Sequence, residues 1–261
     1  MHYLITISDK PDMVFRLKLL MLTIKYFSVE KPFFSVVVNQ HNTSLPLQKE
    51  LILNRGHICD AYISKNADIY HCDYHWAIPV PARWFIVPKD ETCVLIDADM
   101  VACQDLSCLN YLDKDKIHGV TTNKQHLTDA EWISLGFSKS DLKYYLNFGL
   151  IIVPSSKLLE IGEQMLNNVF YIIDRFPHQQ YYSGQIALAY TLKQLMMPIN
   201  VLPKQFNWYD LLPPDNLNDI IFLHYFRSRQ YIVSENTACC CNRNEYTKLI
   251  GKLAQKFYKI F

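Results

Sequence analysis

Val94-Leu95-Ile96-Asp97-Ala98-Asp99 is the stretch on which the fold turns. Three apolar residues, two of them β-branched, run into two carboxylates one residue apart. Such a run is the signature of a strand buried on both faces, with its end carrying two acids into a cleft. Two carboxylates at one strand end repel each other unless a cation lies between them. A hard divalent ion that also holds a diphosphate satisfies that requirement, so the stretch is a candidate metal–nucleotide site.

Asp-x-Asp alone carries little information, since about one copy is expected by chance in a chain of this length. The chain contains a control. Asp113-Lys114-Asp115 has the same spacing but lies among polar residues, and it is expected to be a solvated turn. The apolar run before Asp97 separates the two copies.

Outward from this strand the pattern alternates. Tyr3 to Ile7 is a short β-branched run. Asp12 to Phe27 places Met13, Leu17, Leu20, Ile24 and Phe27 on one helical face, with Asp12 as a candidate cap. Phe33 to Val38 is a second buried strand, Leu47 to Leu53 a short helix, and Ile58 to Ile63 a third strand. With Val94 to Ile96 as the fourth, the order predicts an α/β fold with a mainly parallel central sheet flanked by helices. Ligands bind such sheets outside the carboxyl ends of the strands, where Asp97 and Asp99 fall. Further on, Ile117 to Thr121 and Phe148 to Val153 are predicted strands. Ser155-Ser156 is expected to cap a helix to about Ile173, and Ser183 to Met196 to form another, stopped by Pro198. Ile199 to Leu202 and Ile220 to Tyr225 are short strands, and Glu245 to Phe261 a final helix. No repeat or long linker interrupts the chain, which predicts a single domain over residues 1–261.

Composition limits the function classes. The net charge is +1, so nucleic acid is not an expected partner. Half the residues are hydrophobic, ample for a core. The 17 Tyr and 14 Phe suit a protein that stacks sugar faces on rings, and equally one with a large aromatic core. Nothing approaches the roughly 18 apolar residues of a membrane span. Eight Cys occur without a Cys-x-x-Cys pair, so a zinc site is not expected. Several lie in apolar runs, which points to a reducing compartment. A soluble cytoplasmic protein of bacterial or viral type is the expectation, and Asn42-Thr43-Ser44 is weak evidence against it.

Four pieces in order carry a resemblance. They are Leu95-Ile96-Asp97-Ala98-Asp99-Met100-Val101, Leu146-Asn147-Phe148-Gly149-Leu150-Ile151-Ile152, Leu202-Pro203-Lys204-Gln205-Phe206-Asn207 and Ile221-Phe222-Leu223-His224-Tyr225. Together they resemble the GT-A-fold glycosyltransferases, nearest to family eight, the glycogenin and bacterial galactosyltransferase group. The resemblance implies a GT-A fold, with residues 1–100 as the nucleotide-binding half and 101–261 as the donor and acceptor half. It implies a metal-dependent enzyme that moves a sugar from a nucleoside diphosphate sugar, a UDP-sugar foremost, to a glycan, a protein-linked glycan or another hydroxyl.

Site roles follow from the same resemblance. Asp97, Asp99 and His224 would ligate Mn²⁺ or Mg²⁺, with Asp97 also reaching the ribose and Ala98 between them at the nucleotide. Asn147 and Gly149 would lie beside the donor sugar, with the Gly leaving room for close approach. Thr6, Ser8 and Asp9 would meet base and ribose at the end of the first strand. Arg83 precedes the metal strand by about the distance of a basic donor-binding residue, with a surface charge or an ion pair as the plainer alternatives. Asn207 would line the acceptor side or hold its own loop.

Three positions depart from the family. Its His-x-x-Gly-x-x-Lys becomes His224 followed by Arg227 and Gln230, so Arg229 is the candidate for the diphosphate contact. Its Asp-Gln pair under the donor sugar is reduced to Gln185, after Ser183-Gly184. Retaining and inverting chemistry both stay open. An inverting enzyme needs a carboxylate base, for which Asp210 is the first candidate, followed by Glu131 and Asp129. Two other classes compete. A degenerate GT-A-fold binding protein would keep the fold without turnover. A phosphatase would use Asp97-Ala98-Asp99-Met100-Val101 with Asp97 as nucleophile, but that class puts its motif on the first strand. A sugar nucleotidyltransferase needs a glycine-rich loop near the N-terminus, and the first glycine here is Gly56.

Overall fold

The computed structural model describes residues 1–7, 11–38, 56–60, 83–86, 88–89, 92–122, 126–210, 214, 216–225 and 245–260. The expected helix at Leu47 to Leu53, the far end of the third strand, and Ser8, Asp9, Arg227 and Arg229 lie outside these residues.

Nine strands are described. They are β1 (His2–Ile7), β2 (Phe33–Val38), β3 (Gly56–Asp60), β4 (Thr92–Asp97), β5 (Met100–Ala102), β6 (Ile117–Thr121), β7 (Leu146–Pro154), β8 (Ile199–Val201) and β9 (Phe222–His224). Seven form one sheet in the order β3-β2-β1-β4-β7-β6-β8, while β5 and β9 make a separate pair. Strands β3, β2, β1 and β4 are mutually parallel. Strand β7 runs antiparallel to both β4 and β6, and β8 is parallel to β6. Six of the seven strands thus share a direction, as the alternating pattern predicts, and β7 alone opposes it.

The helices are α1 (Pro11–Phe27), α2 (Asp129–Ser134), α3 (Leu158–Arg175), α4 (Ser183–Gln194) and α5 (Glu245–Ile260). Among the described residues no helix is long and apolar enough to cross a membrane. The two-residue alternation of the strands divides the core. Tyr3, Ile5, Val94, Ile96, Leu150 and Ile152 pack with Leu17, Leu20 and Ile24 of α1. Leu4, Cys93, Leu95, Ile151 and Val153 pack on the other face with Ile161, Met165 and Val169 of α3 and Ile186 and Leu188 of α4. A smaller cluster joins Ile250 and Ala254 of α5 to Phe15 and Leu19 of α1 and to Val101 and Leu223. Helix α5 thereby backs the β5–β9 pair that completes the site.

Three local expectations change. Ser155-Ser156 does not cap α3: Ser155–Lys157 forms a 3₁₀ turn, and Lys157 precedes the helix without a side-chain cap. The Leu158 N–H bonds to the Ser155 carbonyl instead, so backbone replaces hydroxyl. Helix α2 was not anticipated, although its capping box, Thr128 with Glu131, is a sequence-level signal. Strand β5 also emerges directly after Asp99, from residues that the motif alone left as its tail.

Candidate functional site

Asp97 is the last residue of β4, and Ala98-Asp99 turns the chain into β5. Strand β5 pairs antiparallel with β9 in a register that sets Met100 opposite His224. The Tyr225 N–H donates to the Asp99 carbonyl at 3.0 Å. This pairing carries His224 across more than a hundred residues of sequence to Asp99, with Nε2 at 3.3 Å from Oδ1. Trp208 braces the arrangement: its N–H donates to the Phe222 carbonyl at 2.9 Å, and its carbonyl accepts the His224 N–H at 2.8 Å.

Asp97, Asp99 and His224 each offer a ligand atom, and these atoms lie within 4.8 Å of one another. Asp99 and His224 are buried at 7 % exposure each. The Asp97 side chain keeps 34 % of its surface open. Two carboxylates and an imidazole on a half-open rim fit a divalent cation. The electrostatics agree. Burial pushes the Asp97 carboxyl above its usual range and neighbouring Asp99 adds to this, while Arg83 and His224 pull it down. A cation between the acids relieves that repulsion.

Arg83 enters from a 3₁₀ turn, Arg83–Phe85, on the α3 face of the sheet. Close packing there depends on Gly162 of α3, where a Cβ would lie 2.8 Å from that of Trp84. Arg83 is fully buried, and burial lowers its pKa while Asp97 raises it. One guanidinium N–H donates to Asp97 Oδ1 at 3.2 Å, another to the Phe148 carbonyl at 3.1 Å, and the group lies 4.8 Å from the Phe148 ring centroid. The ion pair, one of the expected alternatives, is present. Arg83 faces the site through Asp97, not as a surface charge.

Strand β7 outruns its partner: its ladder with β4 ends at Leu150 opposite Ile96. The backbone of residues 147–149 then needs other partners. Asn147 Oδ1 accepts the Gly149 N–H at 3.0 Å and an Asn207 Nδ2 hydrogen at 2.9 Å. Gln185 Oε1, in the first turn of α4, accepts the Phe148 N–H at 3.1 Å. Asn207 thus ties its own segment to Asn147 of β7. A Cβ on Gly149 would sit 2.4 Å from His224 Cε1 and 2.6 Å from Nδ1. Any side chain at this position would collide with the His224 ring.

Thr6 lies opposite Asp97 in the β1–β4 register. It is buried, and its Oγ1 has no hydrogen-bond partner among the described residues. The Ala98 side chain is buried in the core on the α1 face, so any nucleotide contact there falls to its backbone. Asp210 is ion-paired with Lys204. Glu131 is committed to the Thr128 capping box and to His178 at 3.1 Å, and Asp129 sits exposed beside it in the first turn of α2. Trp208 was missed by sequence reasoning, although it directly follows the Phe206-Asn207 motif.

No family model matches the chain, and no curated protein matches its sequence. Solved structures do match. The galactosyltransferase LgtC, in complex with donor and acceptor sugar analogs, superposes with a TM-score of 0.68 at 12 % identity over 98 % of this chain and 96 % of that one. The apo bifunctional glycosyltransferase WbbM gives 0.61 at 15 % identity over 99 % of this chain, which spans about half (51 %) of the WbbM chain. Apo mouse xyloside xylosyltransferase 1 gives 0.54 at 12 % identity over 85 % and 96 %. The chain has the GT-A fold. In that frame β4 and β7 are the central strands beside which the Asp97-Asp99-His224 cluster stands.

Proposed function

We propose that this GT-A-fold protein is a metal-dependent glycosyltransferase. It would move a sugar from a nucleoside diphosphate sugar, with UDP-sugars the first class to test, to a hydroxyl of a glycan or protein-linked glycan. One observation carries the proposal: two strand-end carboxylates and a distant imidazole converge at the carboxyl edge of a parallel sheet. The fold of LgtC and of the other transferases supports the same reading. LgtC has a glutamine in its active site, and Gln185 is the candidate here by its bond to the Phe148 N–H beside the cluster.

Asp97, Asp99 and His224 would hold Mn²⁺ or Mg²⁺. The ion would neutralise charge that builds on the departing diphosphate. Arg83 aims Asp97 and opposes the rise that burial imposes on its carboxyl. Asn147 and Gln185 hold the Phe148–Gly149 backbone rigid beside the His224 ring, and rigidity of this kind is what positioning catalysis requires. Thr6 lies at the strand end where a base and ribose would rest, with Ser8, Asp9 and Arg229 as further candidate donor contacts. Asp210 would need release from Lys204 to serve as a base.

The test is a donor panel with each divalent ion. The protein should release free nucleoside diphosphate slowly without acceptor and faster with a hydroxyl acceptor. EDTA should stop release, and Mn²⁺ should restore it. Release that continues undiminished in excess EDTA would overturn the metal assignment. Absence of both donor binding and turnover across the panel would overturn the transferase reading.

A further inference from the structure

Beyond the metal cluster lies a largely buried polar chain, of which the account above uses only the Gln185–Phe148 bond. Gln185 presents its Oε1 to the Phe148 N–H at 3.1 Å. A backbone N–H only donates, so this bond fixes which end of the carboxamide is oxygen. The amide nitrogen then faces the other way and donates to the Tyr145 hydroxyl. The His126 backbone N–H also bonds to that hydroxyl oxygen. Both lone pairs are thus occupied, and the hydroxyl proton goes to His126 Nδ1, with which Tyr145 makes a short contact. In this arrangement a neutral His126 carries its own proton on Nε2.

The chain is enclosed and clamped. Tyr145 is 1 % exposed and meets Trp132 edge-on, with ring centroids at 4.8 Å. The His126 ring stacks on Tyr182 at 3.5 Å and 21°. Tyr182 immediately precedes Ser183, the first residue of α4, so the stack ties His126 to the helix that bears Gln185. At its other end the chain reaches the metal cluster through one peptide group: the Phe148 N–H is held by Gln185 and its carbonyl by Arg83, which holds Asp97. A connected, largely buried chain of this kind favours one arrangement, because a break at Tyr145 leaves a buried polar group without a partner.

We infer that Tyr145 and His126 are positioning residues that lock the Gln185 carboxamide in one orientation beside the donor sugar. The inference rests on the glycosyltransferase reading. One Oε1 lone pair and one Nε2 hydrogen remain after the bonds to Phe148 and Tyr145, and these are what the lock offers to the sugar. A side chain held this way presents a fixed acceptor and a fixed donor. A free one would flip between two patterns.

The test uses Tyr145→Phe, which keeps the ring against Trp132 and removes only the hydroxyl. The kcat for metal-dependent donor turnover should fall about tenfold, the scale of a misplaced group near the chemistry. The donor KM and the Mn²⁺–nucleotide affinity should stay within about twofold, since the cluster itself is untouched. His126→Phe should match it. His126→Asn retains an acceptor for the hydroxyl and should restore most of the loss. The double variant Tyr145→Phe/His126→Phe should be no worse than either single one, because both act on one bond. Independently of turnover, the Gln185 side-chain amide resonance, identified by its disappearance in Gln185→Glu, should move in Tyr145→Phe. Unchanged kcat in Tyr145→Phe, equal loss in His126→Asn and His126→Phe, or an unmoved amide resonance would each overturn the inference. Wild-type protein without turnover would remove the transferase reading instead, and the resonance would still decide whether the lock exists.

Discussion

Asp97-Ala98-Asp99 and Asp113-Lys114-Asp115 are the same string in two surroundings. The first closes a buried strand, with Arg83 on one acid and His224 on the other. The second is a solvated turn: the Asp115 N–H donates to Asp113 Oδ1 at 3.0 Å, and Lys116 pairs with Asp113 at 2.8 Å, both of those side chains being nearly half exposed. Their carboxyls respond in opposite directions. Hydrogen bonds from Lys116 and from the Asp115 backbone hold Asp113 below the usual range. Burial, reinforced by Asp99, holds Asp97 above it. A carboxylate pair becomes a candidate ligand set when the fold partly buries it and supplies a third donor. The acids alone do not make one.

Asp99→Asn gives the largest effect expected of this contrast. Loss of one ligand charge should weaken Mn²⁺–nucleoside diphosphate binding by about 100-fold or more in calorimetry, several kcal/mol of phosphate stabilisation. The chain should stay folded by circular dichroism. Gly149→Ala should come next. The added methyl meets the His224 ring, which must turn away, and metal affinity should fall by about tenfold, the lower end of the range for disturbing the support of a ligand. Unchanged affinity in that variant would show that His224 does not ligate.

A smaller effect separates the two copies by pH. A carboxyl held below its unfolded value adds stability that is present above that value and is lost on acidification through the folded one. A carboxyl held above its unfolded value removes stability as the pH rises through the window between the two values, and stops doing so once protonated. Carboxyl carbon NMR of the metal-free protein should find Asp113 titrating below, and Asp97 above, the ordinary value of about 3.9. Saturating Mg²⁺ should carry Asp97 below that value and leave Asp113 where it was, since ligation requires the deprotonated form. Least of all should happen in Asp113→Asn, where metal binding and melting temperature should match the parent, as exposed pairs contribute little.

The sequence made some of this contrast legible and hid the rest for physical reasons. The apolar run before Asp97 and the polar setting of Asp113 are local, so both fates could be read directly. The parallel strands β1, β2 and β4 announce themselves as near-continuous hydrophobic runs. His224 could be tied to the acids only through its motif, because the β5–β9 pairing that delivers it is non-local. Arg83 could not be known as buried, since its ion pair with Asp97 spans fourteen residues and hydropathy places arginine at the surface. The packing of the His224 ring against Gly149 was hidden as well, because nothing local shows that a histidine 75 positions later lies there. The Tyr145–His126 contact has no periodic or motif signature. By contrast, the Thr128–Glu131 box was legible and was overlooked in favour of reading Glu131 as a base.

Anomalous diffraction from crystals grown with Mn²⁺ and UDP tests the central claim most directly. The account predicts one manganese peak within coordination distance of the Asp97 and Asp99 carboxylates and of His224 Nε2, with diphosphate oxygens completing the shell and no peak at Asp113 and Asp115. A nucleotide bound without manganese at the cluster, or manganese ligated elsewhere while the cluster stays empty, would contradict it.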